Sequence, residues 1–313
     1  MKTLLIEMLI CPACLPEENR LHCTVDEAHG EDIDKGSLTC RHCGRVYPIQ
    51  EGIARLDPGS STKGETAGSK YETVPVLSSY MWSHYGDILG EPDASGAYGE
   101  WADLMHHRSG LAIDAGAAVG RFTFEMSRKC DFVVGVDTSL SFIRAARAFM
   151  MNGRIQIALP EEGTLVREET VELPEAWDSD RVEFIVGDAL ALPFRSEAFS
   201  SLASLNLIDK VPFPITHFRE MNRIAKKTDT QFLFSDPFSW SKEVAAEEDW
   251  LGGTRSGPYA GRGLENVMAL LTGKKDALST KWRIETHGHI WWKIRAHANY
   301  FELIRSCFVK AVR

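Results

Sequence analysis

The sequence predicts an α/β protein in which a small metal-binding domain precedes a larger, doubly wound domain. From Leu111 onward, short apolar segments alternate with amphipathic helical segments, and strands that alternate with helices form a parallel sheet with crossover connections. Near the start of the chain, four cysteines stand in two Cys-x-x-Cys pairs, which is the spacing of a zinc site. A chain of 313 residues is long enough for one large and one small domain.

The four paired cysteines are the candidate metal ligands. They are Cys11, Cys14, Cys40 and Cys43. Each pair forms a tight turn that directs two thiolates at one ion, and two such turns close a tetrahedral shell around zinc. Disulfides are the alternative, but chains in a reducing compartment seldom keep them. A closed shell of four thiolates leaves no open coordination position, so we expect a structural Zn²⁺.

Residues 1–58 resemble the small zinc ribbon that activates several methyltransferases, and the ribbon fused ahead of a bacterial ribosomal-RNA guanine methyltransferase. The resemblance rests on the cysteine pairs, on Gly44 in the turn after the second pair, and on the extended segment RVYPI that follows. The same stretch carries six basic and ten acidic residues. Since RNA binding depends largely on neutralising phosphates, this excess of acidic residues disfavours binding of RNA by the ribbon.

The elements after the ribbon follow from their local patterns. Residues 59–70 are rich in Gly, Ser and Thr, which is typical of a linker, and short helical patterns follow up to residue 110. Strands are predicted in the segments LAIDAG, DFVVGVD, VEFIVGDA, FSSLASLNLI and TQFLFSDPF. Helices are predicted in RFTFEMSRKC, SLSFIRAARAFMM and PITHFREMNRIAK, with Ser139 as the N-cap of the second. Residues 151–181 break this rhythm and predict an inserted acidic hairpin or loop.

Glycines and polar residues stand where four of the predicted strands end. Gly116 and Gly120 connect the first strand to its helix, and Asp137 ends the second strand. Asp188 follows the third strand and Asn206 the fourth. In a doubly wound sheet these strand ends meet at one edge, where ligands bind. The sequence therefore predicts a cofactor site at this edge.

The loop D-x-G-x-x-x-G that starts at Asp114, together with the strand-end aspartate and the segment GDA, resembles the class I S-adenosylmethionine-dependent methyltransferases. Ala118 replaces the middle glycine that lets a backbone close on a pyrophosphate. S-adenosylmethionine has no phosphate and therefore tolerates a bulkier loop. The alternative of a dehydrogenase, which binds a pyrophosphate, is disfavoured. The resemblance covers residues 111–240 and implies a Rossmann-like sheet of seven strands, with the last strand antiparallel to its neighbour.

The resemblance also assigns roles to the cofactor-binding residues. The glycine loop would surround the methionine part, Asp137 would hold the ribose hydroxyls, and Asp188 with Ala189 would meet the adenine edge. Asn206 would contact the methionine amino group. The complete predicted set is Asp114, Gly116, Ala117, Gly120, Asp137, Thr138, Asp188, Ala189 and Asn206.

The second half of the domain resembles the methyltransferase domain of the ovothiol pathway, which methylates a mercaptohistidine ring nitrogen. The segments that carry this resemblance are NLIDKVPFP, FSDPFSWSKE and DWLGG; they imply kinship and leave the substrate open. A catalytic base is needed only where the acceptor must lose a proton. The candidates for catalysis at the pocket mouth are Asp209, His84, Tyr85 and Trp240. Further candidates for substrate contact are Trp292, Arg295 and His297.

Three functions compete. The first is methyl transfer to a nitrogen, sulfur or oxygen atom of a small molecule, which the formal net charge of −9 favours. The second is methylation of a ribosomal or transfer RNA base, with the ribbon binding the RNA. Residues 281–313 contain seven Lys and Arg against two Glu, and this basic segment leaves the RNA alternative possible. The third is a non-catalytic partner subunit that binds the cofactor.

The remaining expectations concern partners, location and domain limits. No apolar run approaches the length of a membrane span, and Cys11 and Pro12 stand where a signal peptide would need small residues. We expect a cytoplasmic protein that binds a small-molecule acceptor and binds neither nucleic acid nor a membrane. The sequence does not decide whether the protein forms a homo-oligomer. The expected domains are the zinc ribbon at 1–58, a linker with helices at 59–110, and the methyltransferase domain at 111–313.

Overall fold

The computed structural model describes residues 1–58 and 70–313, so nearly all of the predicted linker at 59–70 lies outside the described residues. The strands are β1 (Leu21–His29), β2 (Asp32–Cys40), β3 (Val46–Gln50), β4 (Ile53–Leu56), β5 (Leu111–Ala115), β6 (Phe132–Asp137), β7 (Arg154–Glu162), β8 (Leu165–Glu172), β9 (Val182–Gly187), β10 (Phe199–Leu205), β11 (Gln231–Asp236), β12 (Arg283–His297) and β13 (Tyr300–Val312). The α-helices are α1 (Val74–Tyr85), α2 (Ala97–Asp103), α3 (Arg121–Met126), α4 (Leu140–Asn152), α5 (Pro214–Ile224) and α6 (Gly263–Leu271).

Seven strands form the predicted Rossmann-like sheet, in the order β9-β6-β5-β10-β11-β13-β12. The first five run parallel to one another. The last strand of the chain, β13, runs antiparallel between β11 and β12. Every residue of β9, β10 and β11 is buried, because helices cover both faces of a parallel sheet and its strands read as continuous apolar runs. The predicted fold class is confirmed.

The connections between strands confirm the predicted local signals. Ser139 caps α4, and its side chain accepts a hydrogen bond from the Phe142 backbone N–H. Gly120 precedes α3 with a φ of 90°, and a Cβ there would lie 2.7 Å from the Phe184 ring. A left-handed backbone packed this closely on an aromatic ring requires glycine. The second glycine of the loop is therefore needed for packing of the loop on the sheet.

The strands of the N-terminal ribbon continue the main sheet. The order β1-β2-β3-β4 leads directly to β9, and β4 pairs with β9 in parallel through Arg55 with Val186 and Leu56 with Gly187. The pairing covers the backbone of β9, which would otherwise be an exposed edge strand. The sequence predicted a separate unit here and gave no sign of the pairing; the domain limits remain predictions.

A buried ion-pair cluster joins the ribbon to the main domain. Arg147 of α4 contacts Asp32 of β2 and lies 3.2 Å from Glu183 of β9. Glu183 also accepts a 2.6 Å hydrogen bond from the Lys2 backbone N–H. The hydrogen bond from the N-terminal ammonium group and the charge of Arg147 outweigh the effect of burial and lower the pKa of Asp32.

Residues 154–172 form a two-stranded antiparallel hairpin of β7 and β8, the first of the two alternatives expected for the acidic insertion. Arg167 of the hairpin pairs with Glu91 at 2.7 Å and with Glu161 at 3.2 Å. Arg295 of β12 also pairs with Glu161, at 2.6 Å. Part of the acidic charge therefore attaches the hairpin to the body of the protein.

The long hairpin of β12 and β13 was predicted only at its last strand. The two strands span 15 and 13 residues and pair with each other over almost their whole length. Their exposed and buried positions alternate irregularly, so no clean two-residue period marks them in the sequence. Over the part of the chain that the structure describes, no helix is both long and apolar enough to span a membrane.

Candidate functional site

The four paired cysteines converge on one point. Their sulfur atoms all lie within 4.8 Å of one another; Cys11 Sγ is 3.6 Å from Cys43 Sγ, and Cys14 Sγ is 3.7 Å from Cys40 Sγ. Tetrahedral zinc with bonds of about 2.3 Å places sulfurs about 3.8 Å apart, whereas a disulfide needs about 2.05 Å. The Tyr47 hydroxyl lies within hydrogen-bond distance of Cys11 Sγ, at 3.2 Å. The cluster fits a structural zinc ion.

A cavity of about 360 Å³ opens where β5, β6, β9 and β10 end at their carboxyl edges. This is the edge at which doubly wound sheets bind ligands. Six of the predicted cofactor-binding residues line it: Gly116, Asp137, Thr138, Asp188, Ala189 and Asn206. The structure therefore brings together residues that are up to 90 positions apart in the sequence.

The other three predicted residues lie behind the cavity wall. Asp114 is buried and accepts a 2.8 Å hydrogen bond from the Thr123 hydroxyl; burial raises its pKa to about 7. Ala117 is buried and its carbonyl accepts a hydrogen bond from the Gly120 backbone N–H. Asp114, Ala117 and Gly120 thus shape the loop between β5 and α3 without reaching the cavity.

Asp137 holds this loop and faces the cavity. Its Oδ2 accepts a hydrogen bond from the Ala118 backbone N–H, and its Oδ1 accepts one from Ser139, both at 2.9 Å. A carboxylate has about four acceptor sites, so both oxygens keep capacity for ligand hydroxyls. Burial raises the pKa of Asp137, and the backbone hydrogen bonds oppose that shift.

Asp188 and Ala189 are fixed at the next strand end. Asp188 Oδ1 accepts a 2.8 Å hydrogen bond from the Leu190 backbone N–H. The pKa of Asp188 is raised by burial and also by the charge of Asp57, a residue that follows β4 and also lines the cavity. His217 Nδ1 lies 3.1 Å from the Ala189 carbonyl oxygen, and burial lowers the pKa of His217 to about 4, so this ring is neutral.

Asn206 presents an amide group to the cavity from a left-handed backbone with a φ of 55°. Its Oδ1 accepts a 2.7 Å hydrogen bond from the Ser306 hydroxyl of β13. Its Nδ2 is buried and has no hydrogen-bond partner within the described chain. A buried donor without a partner is costly, and a ligand oxygen in the cavity would satisfy it.

None of the four candidate catalytic residues lines the cavity, but two contact residues that do. Asp209 Oδ2 accepts a 3.0 Å hydrogen bond from Lys210 Nζ, and Lys210 lines the cavity. A 2.6 Å hydrogen bond joins His84 Nε2 to the hydroxyl of Tyr98, another lining residue. Burial and the charge of Arg121 lower the pKa of His84 far enough to keep it neutral.

Tyr85 and Trp240 lie elsewhere. The Tyr85 hydroxyl donates a 2.6 Å hydrogen bond to the Val119 carbonyl. Trp240 stacks on Trp250, with ring centroids 6.1 Å apart and planes at 12°. Both side chains are used in packing, and neither lines the cavity; Tyr85 also packs against His84, with ring centroids 6.1 Å apart.

Sequence reasoning missed most of the cavity's aromatic wall. Tyr71, Tyr80 and Tyr98 line the cavity together with Trp292, which alone was singled out in the sequence. The three tyrosines precede the first strand of the main sheet, outside the cofactor motif. Their recurrence between residues 71 and 98, among short helical patterns, was the one available signal, and buried tyrosines are commonly packing residues.

Comparisons with known proteins agree with this arrangement. Residues 113–230 match the family model of a methyltransferase domain, and residues 2–52 match that of Trm112p-like proteins. No curated protein matches the chain.

Several solved structures resemble the chain at low identity. The YcgJ protein of Bacillus subtilis has a TM-score of 0.45 and 13% identity, covering 69% of this chain and 97% of its own. A chain from the complex of the Haloferax volcanii Trm112 methyltransferase activator with a methyltransferase has a TM-score of 0.44 and 14% identity, covering 75% and 96%. Haemonchus contortus phosphoethanolamine N-methyltransferase 2 has a TM-score of 0.41 and 15% identity, and the match covers 61% of this chain and 37% of the Haemonchus chain. Scores below 0.5 at such identities add nothing to the assignment.

The seven-stranded sheet, the ligand cavity at its carboxyl edge and the matching segment define an S-adenosylmethionine-dependent methyltransferase domain. S-adenosylmethionine is its methyl donor. The chain is this domain fused behind a Trm112-like zinc-binding domain with a four-cysteine cluster. The predicted enzyme class and the predicted zinc cluster are confirmed; the kinship with the ovothiol pathway remains a prediction.

Proposed function

We propose that the protein transfers a methyl group from S-adenosylmethionine to a nitrogen, sulfur or oxygen atom of a small molecule. The observation that carries the proposal is the form of the cavity. Aromatic side chains of α1, α2 and β12 cover one side of it, the side that would remain for an acceptor when the cofactor lies at the strand ends. A partly covered site of this kind suits a small acceptor.

The charge distribution weighs against the alternative of an RNA substrate. Three of the seven basic residues in 281–313 are engaged with the protein's own groups, while Lys281, Arg283 and Arg305 are exposed. Lys310 is 1% exposed and pairs with Glu285 at 3.4 Å, and Arg295 is 4% exposed and pairs with Glu161. Arg313 donates a 2.6 Å hydrogen bond to the Ala225 carbonyl. Cations used in this way do not provide the phosphate-binding stripe that an RNA substrate needs.

We assign the cofactor roles by family resemblance and by position at the strand ends. Asp137 receives the ribose hydroxyls, Asp188 and Ala189 face the adenine, and Gly116 with Thr138 borders the methionine and ribose parts. The donor geometry of Asn206 suits the methionine carboxylate better than the amino group that the resemblance suggested, because its free atom is an N–H donor. When bound, S-adenosylmethionine supplies a methyl group on a positively charged sulfur.

The chain's own contribution is positioning. Methyl transfer requires the acceptor atom to be held in line near the methyl group. Asp209 orients Lys210 into the cavity, and His84 orients the Tyr98 hydroxyl, so we propose both as positioning residues. Tyr85 and Trp240, predicted as catalytic, would act only through packing.

The Trm112-like domain would serve the methyltransferase domain within one chain. Support comes from β4, which covers the edge of β9, and from Asp57, which reaches the cavity. Thiolate ligands need reduced cysteines, which supports a cytoplasmic location. A second copy of the chain as partner remains a prediction.

The test uses S-adenosylmethionine with an isotopically labelled methyl group. Purified protein is incubated with a cell extract divided into small-molecule, RNA and protein fractions, and the label is followed by mass spectrometry. We expect label in the small-molecule fraction. An Asp137→Ala variant serves as the control, since it should bind the cofactor poorly and transfer little label. Label confined to RNA would replace the proposal with the RNA alternative, and no label despite tight cofactor binding would favour a non-catalytic partner.

A further inference from the structure

Five aromatic residues line the cavity, and one of them, Phe142, packs on Tyr80 with ring centroids 4.8 Å apart. The other four follow one another around the cavity, and we call them the aromatic box: Tyr71, Tyr80, Trp292 and Tyr98. Tyr71 and Tyr80 have ring centroids 6.2 Å apart with planes at 84°. Tyr80 and Trp292 are 6.2 Å apart at 69°, and Trp292 and Tyr98 are 6.5 Å apart at 88°. Because each ring is steeply inclined to its neighbour, the wall is not flat, and all four residues line the cavity.

The charges around the cavity favour a cation. Three carboxyl residues line it, Asp57, Asp137 and Asp188, against one lysine, Lys210. Asp137 and Asp188 are assigned to the cofactor, so they act on the acceptor only through the negative field of the cavity wall. Lys210 is partly neutralised, since its Nζ lies 3.0 Å from Asp209. Faces of Tyr and Trp attract cations through the ring quadrupole, and several rings around one site are the usual means of recognising ammonium groups.

The box also lies on different elements from the cofactor loop. Tyr71 stands in the turn before α1, Tyr80 is in α1, Tyr98 is in α2 and Trp292 is in β12. The predicted cofactor-binding residues instead follow β5, β6, β9 and β10. The Trp292 indole N–H is buried and has no hydrogen-bond partner in the described chain.

We infer that the methyl acceptor is an amine whose nitrogen is held in the aromatic box and becomes positively charged on methylation; the inference rests on the proposed function. The nitrogen lone pair forms the new N–C bond while the S–C bond breaks, and the electron pair of that bond stays on sulfur. One positive charge thereby moves from sulfur to nitrogen. An alkylamine is protonated at neutral pH, so it first releases that proton to water and reacts as the free base. A tertiary amine has no further proton to lose after the transfer, so the product is a quaternary ammonium ion.

The box suits this reaction because it stabilises positive charge without supplying a base. The Tyr98 hydroxyl is tied to His84, which stays neutral in the interior, and the other walls are phenol and indole rings. The positive charge that develops on the acceptor nitrogen would therefore lie next to π faces. Because these four side chains include no strong base, the proton of the bound ammonium form must leave to water before the transfer.

The experiment compares two compounds of the same shape and different charge. Choline carries a trimethylammonium group, and 3,3-dimethylbutan-1-ol carries the uncharged carbon analogue. Binding of each is measured by calorimetry to the full-length protein saturated with S-adenosylhomocysteine, so that the cofactor site is already filled. We expect choline to bind at least about tenfold more tightly than the neutral alcohol, which corresponds to about 1.4 kcal/mol, within the range for cation–π contacts.

Variants at two adjacent tryptophans provide a matched pair. Trp292→Leu should abolish the preference for choline, and Trp292→Phe should keep part of it. Trp291→Leu should leave it unchanged, because Trp291 is 52% exposed and lies on the opposite face of β12. The affinity for S-adenosylhomocysteine reports whether each variant is folded.

The failures are distinguishable. If S-adenosylhomocysteine does not bind, the proposed function fails. If it binds but choline and the alcohol bind equally, or neither binds, the inference about the acceptor is overturned while the proposed function stands. If choline binds only in competition with S-adenosylhomocysteine, the box encloses the sulfur end of the cofactor, and the inference is again wrong.

Discussion

Replacing Glu183 with alanine should weaken the connection between the zinc-binding domain and the methyltransferase sheet. The Glu183 side chain is fully buried and lies 3.2 Å from Arg147 Nε. It also accepts the 2.6 Å hydrogen bond from the Lys2 backbone N–H. The variant leaves Arg147, 7% exposed at its side chain, with Asp32 as its remaining ion-pair partner.

The expected loss follows from these contacts. Removing one partner of a buried ion pair costs about 3–5 kcal/mol, and the lower value applies because Asp32 remains. At about 2–4 °C per kcal/mol, a loss of about 3 kcal/mol lowers Tm by about 6–12 °C. Differential scanning calorimetry measures it, with Glu168→Ala as the control because Glu168 is exposed in the β7–β8 hairpin. A Tm within about 2 °C of the wild type would refute the view that this cluster joins the two domains.

Three further predictions concern the zinc cluster, the glycine loop and a buried acid. Cys14→Ser should release zinc and lower Tm, measured by metal analysis and calorimetry; full zinc content in a stable variant would contradict the four-thiolate site. Gly120→Ala should be destabilised by at least about 1–3 kcal/mol in chemical denaturation, because its Cβ would lie 2.7 Å from Phe184 at a φ of 90°; wild-type stability would contradict the packing described. Burial raises the pKa of Asp114 to about 7, so its contribution to stability is complete below the unfolded pKa near 4 and is lost as pH rises towards 7. Asp114→Asn should therefore flatten the fall in stability between pH 4 and 7, and an unchanged profile would show that Asp114 does not titrate there.

Short sequence patterns predicted those parts of the molecule whose structure depends on residues close together in the chain. The zinc cluster follows from two short cysteine spacings, and β5, β6 and β9–β11 follow from apolar runs bounded by turn residues. The strand-end residues Asp137 and Asp188 could be placed at the cavity because parallel strands share one carboxyl edge. Asp114 and Gly120 belong to the same motif. The motif alone does not show that the Asp114 side chain is buried behind the loop, or that Gly120 packs directly on Phe184.

Long-range contacts account for what the sequence did not reveal. The parallel pairing of β4 with β9 joins residues about 130 positions apart and has no local pattern. The aromatic wall forms because the α1–α2 segment packs against β12, and β12 itself was not predicted. His84 and Asp209 were placed near the right region, but only tertiary packing shows that each reaches the cavity through a neighbouring residue, Tyr98 or Lys210.

Titration of S-adenosylmethionine into the purified protein tests the central claim most directly, since every proposed role depends on the cofactor lying at the carboxyl edge of the sheet. We predict saturable binding by the wild type and an affinity at least about 100-fold weaker for Asp137→Ala, because two charge-assisted hydrogen bonds of about 1.5–3 kcal/mol each would be lost. Glu168→Ala should bind like the wild type. Absence of saturable binding, or equal affinity in Asp137→Ala, would contradict the account.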